Sequence, residues 1–395
     1  MTNEANMPEL RFPGFNGKWE IKKLKDIGDI ITGKTPSTSN PKFYNGNYPF
    51  VSPLDIQNHR FIKKTNKTLS EKGFYSGRII RKGASLFVCI GSTIGKIGQA
   101  GADVITNQQI NSLIPYERYD DNFIYSNLLK SSSKIKQLEA TQALPIINKE
   151  TFGSYFINLP QLDEQIKIGN FFNKLDRQIE LEEQKLEKLE EQKKGYMQKL
   201  FSQELRFKTK DNVYYSEWKL HKLGEIFKYS QGQQISVDKQ FSVKSNEMKR
   251  FIRIVDITEN PEPRFVLYES DTGLVNKEDL FMIRYGRPGI VSIGFEGIIA
   301  NNLFKLIPKI KISTVYFYYL LSYNYYRINL LTNQSTMPAL NFKSLDLLKF
   351  KIPSYKEQNK IGNFFTKFDE LIEKQSSKIG VLKQRKKGFL QKMFV

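Results

Sequence analysis

Residues 28–35, GDIITGKT, satisfy the spacing G-x-x-x-x-G-K-[ST], in which a glycine-rich turn cradles phosphates and a lysine reaches the outer ones. Such a loop would support nucleotide hydrolysis, but it needs a helix directly behind it whose N-terminus faces the anion. Here Pro36 and then STSNP follow, and the matching stretch at 227–234, FKYSQGQQ, lacks both the lysine and the first glycine. GSTIGK at 91–96 is one residue short of the same pattern and reads as a glycine-rich turn. His59, His221 and Cys89 are the whole supply of imidazole and thiol, too little for a structural zinc site or a nucleophile–base pair. Acid-x-Lys triplets such as Glu183 with Lys185 lie on a helical pattern where charge alternation explains them. No two prolines adjoin, which removes the Asp-Pro-Pro-Tyr motif of adenine methyltransferases. The residues form no catalytic constellation.

What the loops do carry is amides, hydroxyls and cations together. In the first half these are Lys34, Thr35 and Ser37; Ser92, Thr93 and Lys96; Gln108 and Gln109; and Gln142. In the second half they are Gln231, Gln233 and Gln234; Arg284 and Arg287; Asn301 and Asn302; and Asn333, Gln334 and Thr336. Arginine and lysine suit guanine, asparagine and glutamine suit adenine, and hydroxyls suit phosphate. The charge agrees: 61 Lys and Arg against 41 Asp and Glu leave +20, which favours a polyanionic partner. The residues at these loop positions are polar in both halves while their identities differ.

Those loops need scaffolds. A chain of 395 residues predicts two or three domains, each able to bury a core. Short β-type runs such as YPFVSPLDI, SLFVCI, RFIRIVDI and GIVSIG alternate with Gly, Asn, Ser and Pro clusters, and one helix is expected near 121–139 and another near 313–330. The fold class is therefore α+β. A single cysteine excludes an internal disulfide, the start MTNEANMPEL does not read as a secretory leader, and no apolar run approaches the roughly 18–20 residues of a membrane span. A cytoplasmic protein with no membrane partner is expected.

The chain also repeats itself. LPQLDEQIKIGNFFNKLDRQIE at 159–180 returns as IPSYKEQNKIGNFFTKFDELIE at 352–373, an offset of 193, and the match continues through KKGYMQKLF and KKGFLQKMF. ELRF at 9–12 recurs at 204–207, each time followed by a tryptophan and leucines, so the repeat is cyclic in order and the amino-terminal tail should lie beside the far end of the last helix. In the duplicated segment apolar residues are spaced alternately by four and three: Ile168, Phe172, Leu175, Ile179, Glu182, Leu186, Leu189, Lys193, Tyr196 and Leu200. The copy reads Ile361, Phe365, Phe368, Ile372, Gln375, Ile379, Leu382, Lys386, Phe389 and Met393. This is a heptad seam on a helix of roughly 60 Å. Two such helices tethered in one chain should pair antiparallel about a pseudo-twofold axis, bringing Glu182 to Gln375 as a polar contact that fixes the register. The expected organisation is a first domain at 1–160, a central helix at 161–207, a second domain at 208–353 and a distal helix at 354–395.

ELRFPGF followed by Trp19 and KL, TGKTPS in the first domain, and the duplicated P-x-x-x-E-Q-x-x-I-G-x-F-F with its long helix together resemble the specificity subunit of type I restriction-modification systems. The resemblance covers nearly the whole chain. It implies two target-recognition domains, each binding one half of an asymmetric bipartite DNA site, with two antiparallel helices whose length sets the gap. It further implies two modification subunits that dock on the repeated regions and methylate adenine from S-adenosylmethionine, and restriction subunits that cut DNA using ATP and Mg; this chain would hold no cofactor and catalyse nothing. Carried over by position, Pro160, Glu164, Gln165, Ile168, Phe172, Leu175, Ile179 and Glu182, with Pro353, Glu357, Gln358, Ile361, Phe365, Phe368, Ile372 and Gln375, are spacer or docking positions. The two alternatives, a nuclease or NTPase using the GKT loop and a coiled-coil scaffold without DNA function, predict respectively ATP turnover and no footprint on DNA.

Overall fold

The run SLFVCI opens with a strand, Ser85–Val88, buried on both faces because alternate side chains here and just beyond it meet two different cores. Phe87 and Cys89 enter one cluster with Trp19, Phe123, Phe152 and Phe172, whereas Leu86 and Val88 enter another with Val51, Ile80, Val104 and Ile110. The computed structural model describes residues 7–57, 59–138, 145–259, 261–332 and 338–395. The chain divides into two compact units, Met1–Lys185 with Gln375–Val395, and Leu186–Lys374.

Among its described residues the first unit holds eleven strands: β1 (Glu20–Lys23), β2 (Gly28–Thr32), β3 (Tyr44–Val51), β4 (Phe61–Ile62), β5 (Lys67–Leu69), β6 (Ile79–Ile80), β7 (Ser85–Val88), β8 (Ile97–Ala100), β9 (Val104–Thr106), β10 (Ile110–Pro115) and β11 (Phe156–Leu159). They form a sheet β2-β10-β7-β8-β4, a second sheet β5-β3-β9-β6 and the pair β1-β11. The helix Asp121–Lys136 and the first part of the long central helix, Leu162–Phe201, cover the larger sheet through the Phe123–Phe172 cluster. The head helix starts at 121 because Asp120 accepts the Phe123 N–H at 2.7 Å, an N-cap.

The second unit repeats this plan with β12 (Lys219–Lys222), β13 (Phe227–Gln231), β14 (Met248–Ile252), β15 (Arg264–Leu267), β16 (Leu274–Val275), β17 (Leu280–Ile283), β18 (Val291–Ser292), β19 (Gly297–Ile299), β20 (Leu303–Pro308) and β21 (Lys349–Ile352). Its sheets are β13-β20-β17-β18, β15-β14-β19-β16 and the pair β12-β21. Strand for strand this is the order of the first unit without β4. In the sheets β5-β3-β9-β6 and β15-β14-β19-β16 the middle pairing is parallel and its neighbours antiparallel, β3 with β9 and β14 with β19; in the first unit β4 also pairs parallel with β8. The helix Thr314–Tyr323 supplies Tyr316 and Phe317 to a core with Trp218, Phe227, Phe304, Ile361 and Phe365.

Within each unit the central helix runs antiparallel to the distal helix, Tyr355–Met393. In the first, Phe171 meets Phe389, Asp176 pairs with Lys386 at 2.5 Å, and Gln375 donates to the Glu182 carboxylate at 2.7 Å and to its carbonyl at 2.8 Å. In the second, Lys193 pairs with Asp369 at 2.5 Å and Tyr196 meets Phe364 edge-on. Glu182 and Gln375 occupy the same step of the repeat, so their contact is where the repeat pairs with itself. Two carboxylates there would repel, whereas the amide in one copy turns the step into a charge-assisted hydrogen bond. Ile168, Phe172, Ile179, Leu200, Ile361, Phe365, Ile379, Leu382 and Met393 are buried, while Leu175, Leu186, Leu189, Phe368 and Ile372 are half-buried and Tyr196 is exposed. Two helices alone cannot wrap a heptad seam on all sides.

The cyclic order is visible in hydrogen bonds. In the first unit Leu10 N–H donates to the Lys392 carbonyl at 2.8 Å, Arg11 grips Glu164 with two bonds of 2.7 Å, and Phe12 meets Phe171. In the second, Leu205 N–H donates to the Lys199 carbonyl at 3.0 Å, Arg206 faces Glu357 at 3.8 Å, and Phe207 meets Phe364.

Candidate nucleic-acid interface

Three loops of the first head leave the sheets at one rim: 33–40 after β2, 89–96 between β7 and β8, and 107–109 between β9 and β10. They are held together by the main chain. Gly33 N–H donates to the Ile110 carbonyl at 3.0 Å, Lys34 N–H to Thr106 at 2.9 Å, Cys89 N–H to Gln109 at 2.8 Å and Gly91 N–H to Pro145 at 3.2 Å. The second head shows the same four bonds on other residues: Gly232 to Leu303 at 2.9 Å, Gln233 to Ile299 at 2.8 Å, Arg284 to Asn302 at 2.8 Å and Gly286 to Pro338 at 3.3 Å. These bonds establish which positions are equivalent: Lys34 with Gln233, Thr35 with Gln234, Cys89 with Arg284, Gln108 with Asn301 and Gln109 with Asn302.

Gly33 and Gly232 make the crossing possible. A Cβ on Gly33 would lie 2.1 Å from the Asn107 carbonyl oxygen, and one on Gly232 would lie 2.2 Å from that of Ala300. The side chains beyond the crossing then pair across the rim. Thr35 Oγ1 donates to Gln108 Oε1 at 2.6 Å in the first head, and Asn301 Nδ2 to Gln234 Oε1 at 3.4 Å in the second. The same two positions thus hold a hydroxyl–amide pair in one head and an amide–amide pair in the other.

Lys34, Ser37, Ser92, Lys96 and Gln108 are exposed on the first rim, with Thr35, Thr93 and Gln109 half-buried. Gln109 is steadied by Asn107 Nδ2 at 3.0 Å, a contact no motif announced. On the second rim Gln234, Arg287 and Asn301 are exposed, and Gln233 and Asn302 half-buried. Arg287 reaches Glu259 only loosely, at 4.0 Å. Two of the expected base readers also bond within the rim. Arg284 donates Nη1 to Gln231 Oε1 at 2.7 Å and Nε to the Leu340 carbonyl at 3.4 Å, and its guanidinium sits 4.2 Å from the centre of Phe342. Gln231 in turn donates to the Asn301 carbonyl. The Gln231 amide and the Nε and Nη1 of Arg284 are thus tied into the rim, with the guanidinium face covered by Phe342. Gln142, Asn333, Gln334 and Thr336 lie outside the described residues.

The GKT loop does not form a phosphate cradle. The Gly33 and Lys34 amides are both donated to β-strand carbonyls, and no helix begins until the short turn Pro41–Phe43. Cys89 is buried under the rim, and burial pushes its thiol up to about 11, away from nucleophilic use.

The repeated helix residues serve their own chain. Glu164, Gln165, Glu357 and Gln358 are buried; Gln165 donates to the Pro160 carbonyl at 2.8 Å and accepts the Asp120 N–H at 3.1 Å. Gln358 repeats both bonds, donating to Pro353 at 3.0 Å and accepting from Ser313 at 2.9 Å. They anchor each head to its helix. Sequence reasoning passed over Arg60, which does related work in the first unit. Its guanidinium bonds Asp176 at 3.1 Å, Gln99 at 2.7 Å and Asn122 at 2.8 Å and lies over Tyr125; burial lowers its pKa, and Asp176 opposes that fall.

Residues 16–191 and 215–383 match the family described as the type I restriction modification DNA specificity domain. The MjaVIII specificity subunit of Methanocaldococcus jannaschii is 24% identical over 97% of this chain and 94% of its own length. The MjaIX specificity subunit of the same organism is 28% identical over 54% of this chain, and the match spans only 52% of that relative. The HindI specificity subunit of Haemophilus influenzae is 34% identical over 40% of this chain and 36% of itself. Among solved structures, the S subunit from M. genitalium has a TM-score of 0.64 at 17% identity, covering 98% of this chain and 99% of that one. A chain from a structure concerned with assembly and conformational transition of the type I R-M system covers the same shares at 17% identity with a TM-score of 0.56. Both likenesses are of fold. Among the described residues no helix is long and apolar enough to cross a membrane.

Proposed function

The chain belongs to the type I restriction-modification DNA specificity family, and from that premise we propose that it is the DNA-reading subunit of such a system, each head reading one half of an asymmetric bipartite duplex site. The observation that carries this reading is the pair of rims built on the same main-chain bonds but furnished with different side chains. Identical heads would read identical half-sites, and a shared scaffold with Thr35 and Gln108 in one and Gln234 and Asn301 in the other reads two different ones. Lys34, Lys96 and Arg287 add phosphate or guanine contacts on the exposed rims.

The paired helices set the gap between half-sites, and their outer faces dock two modification subunits, with restriction subunits joining the full assembly. S-adenosylmethionine, ATP and Mg are bound by those partners, and this chain, cytoplasmic and non-catalytic, supplies recognition. Its partner is double-stranded DNA, and it has no membrane role.

Mapping methylated adenines across the host genome by long-read sequencing, with and without this gene, tests the reading. One bipartite motif should vanish with the gene. Exchanging residues 208–352 for those of a relative should change one half of the motif, and inserting whole helical turns at 182–189 should change only its gap. A motif whose two halves move together would overturn the two-head assignment.

A further inference from the structure

We propose that Arg253 is a base-reading residue of the second head, presenting its guanidinium to guanine, and that Ser52 holds the equivalent reading position in the first. This rests on the DNA-reading function proposed above and names residues outside the loops so far assigned to it. Arg253 follows β14 and Ser52 follows β3, the strands that lie parallel to β19 and β9 and so end at the same rim. Each closes the same turn: Arg253 N–H donates to Asp256 Oδ2 at 3.0 Å, and Ser52 N–H to Asp55 Oδ2 at 2.8 Å. That shared bond makes the two positions equivalent despite their unlike sequences.

Beyond the backbone they part. Ser52 turns its hydroxyl onto Asp55 at 2.7 Å. Arg253 donates Nε to Asp256 at 2.8 Å and Nη2 to the Glu262 carbonyl at 3.2 Å. Asp256, 3% exposed, therefore holds Arg253 at both its amide and its guanidinium, while Arg250 at 3.3 Å occupies the other carboxylate oxygen. The arginine's rotamer is set before any ligand arrives. Among the described residues Nη1 has no hydrogen-bond partner, and the side chain lines a groove with Gln234, Gln240, Arg264 and Asn301 over a floor of Phe251 and Ala300. Gln234 and Asn301 are the cross-rim pair of the second head. A guanidinium clamped at Nε with its far edge open beside them is placed to meet the O6 and N7 acceptors of guanine, whereas a serine hydroxyl discriminates weakly.

The test uses the full chain assembled with its modification subunits and a duplex library randomised across both half-sites. Arg253→Ser should erase the preference at one base pair of the second half-site by about 5- to 150-fold and leave the first half-site untouched. Arg253→Lys keeps a cation beside Asp256 without the planar fork and should lose the same preference. Ser52→Arg should alter the first half-site alone. Full preference retained in both Arg253 variants, with only a lower unfolding midpoint, would make Arg253 a structural partner of Asp256 and overturn the proposal; so would equal weakening on every sequence, the behaviour of a phosphate contact. A wild-type assembly that selects no sequence at all would instead defeat the function beneath it.

Discussion

Removing the Glu164 carboxylate tests whether the amino-terminal tail is part of the first head's architecture. Arg11 donates Nε and Nη2 to the two Glu164 oxygens, each at 2.7 Å, with side-chain exposures of 14% and 2%. Glu164→Ala leaves that guanidinium desolvated without its counter-charge, a loss of about 3–5 kcal/mol for a pair this buried. In a unit of this size each kcal/mol moves the unfolding midpoint by about 2–4 °C, so the variant should melt roughly 6–20 °C lower. The double variant Arg11→Met, Glu164→Leu removes both charges and should recover at least half of the deficit, since neither half of the pair is then stranded. Differential scanning calorimetry of the full chain reads both numbers, and the cycle completed with Arg11→Met alone should give a coupling of about 1–3 kcal/mol. If Glu164→Ala costs under about 1 kcal/mol and the double variant is no better, the tail is an accessory and the cyclic repeat has no energetic meaning.

Three further outcomes follow from the same geometry. Gly33→Ala and Gly232→Ala each force a Cβ against a carbonyl at about 2 Å, so each should cost about 1–3 kcal/mol and blunt the selectivity of its own half-site only, read by the same duplex library. Cys89, buried and with its thiol raised to about 11, should alkylate with iodoacetamide at pH 8 on the order of a hundred-fold more slowly in the native chain than in urea, scored by mass spectrometry. Burial raises the Glu357 carboxyl above the ordinary glutamate range, with Arg206 and Trp218 pulling the other way. Between the unfolded and folded pKa the native state therefore holds the extra proton, and the stability of the second unit contributed at this site should rise as pH falls through that window. Glu357→Gln should flatten that slope in a series of melts from neutral to mildly acidic pH.

The contrast between what was legible and what was not follows the kind of bond involved. The long helices were legible because packing one against another demands apolar side chains at heptad spacing, and side chains are what a sequence writes; Glu182 with Gln375 and the return of ELRF to the helix end were readable for that reason. The heads were not, beyond their class, because their equivalence is carried by N–H to C=O bonds that nearly any residue can make. Cys89 and Arg284 share one such bond and nothing else, and Ser52 and Arg253 share another. The few written traces are glycines where the backbone leaves no choice: Gly33 and Gly232 at the close approach to the neighbouring loop, and Gly91 and Gly286, both at positive φ, at the far loop. Arg253 was hidden for the same reason, since RFIRIVDI reads as one β run and only the turn closed by Asp256 takes the arginine out of it. The contacts of Arg284 were hidden too: a cation in a glycine turn reads as solvent-facing, yet it stacks on Phe342 and bonds Gln231. A scaffold specified by main-chain bonds leaves the side chains above it free to vary, which is the property a pair of heads needs if each is to read a different half-site without refolding.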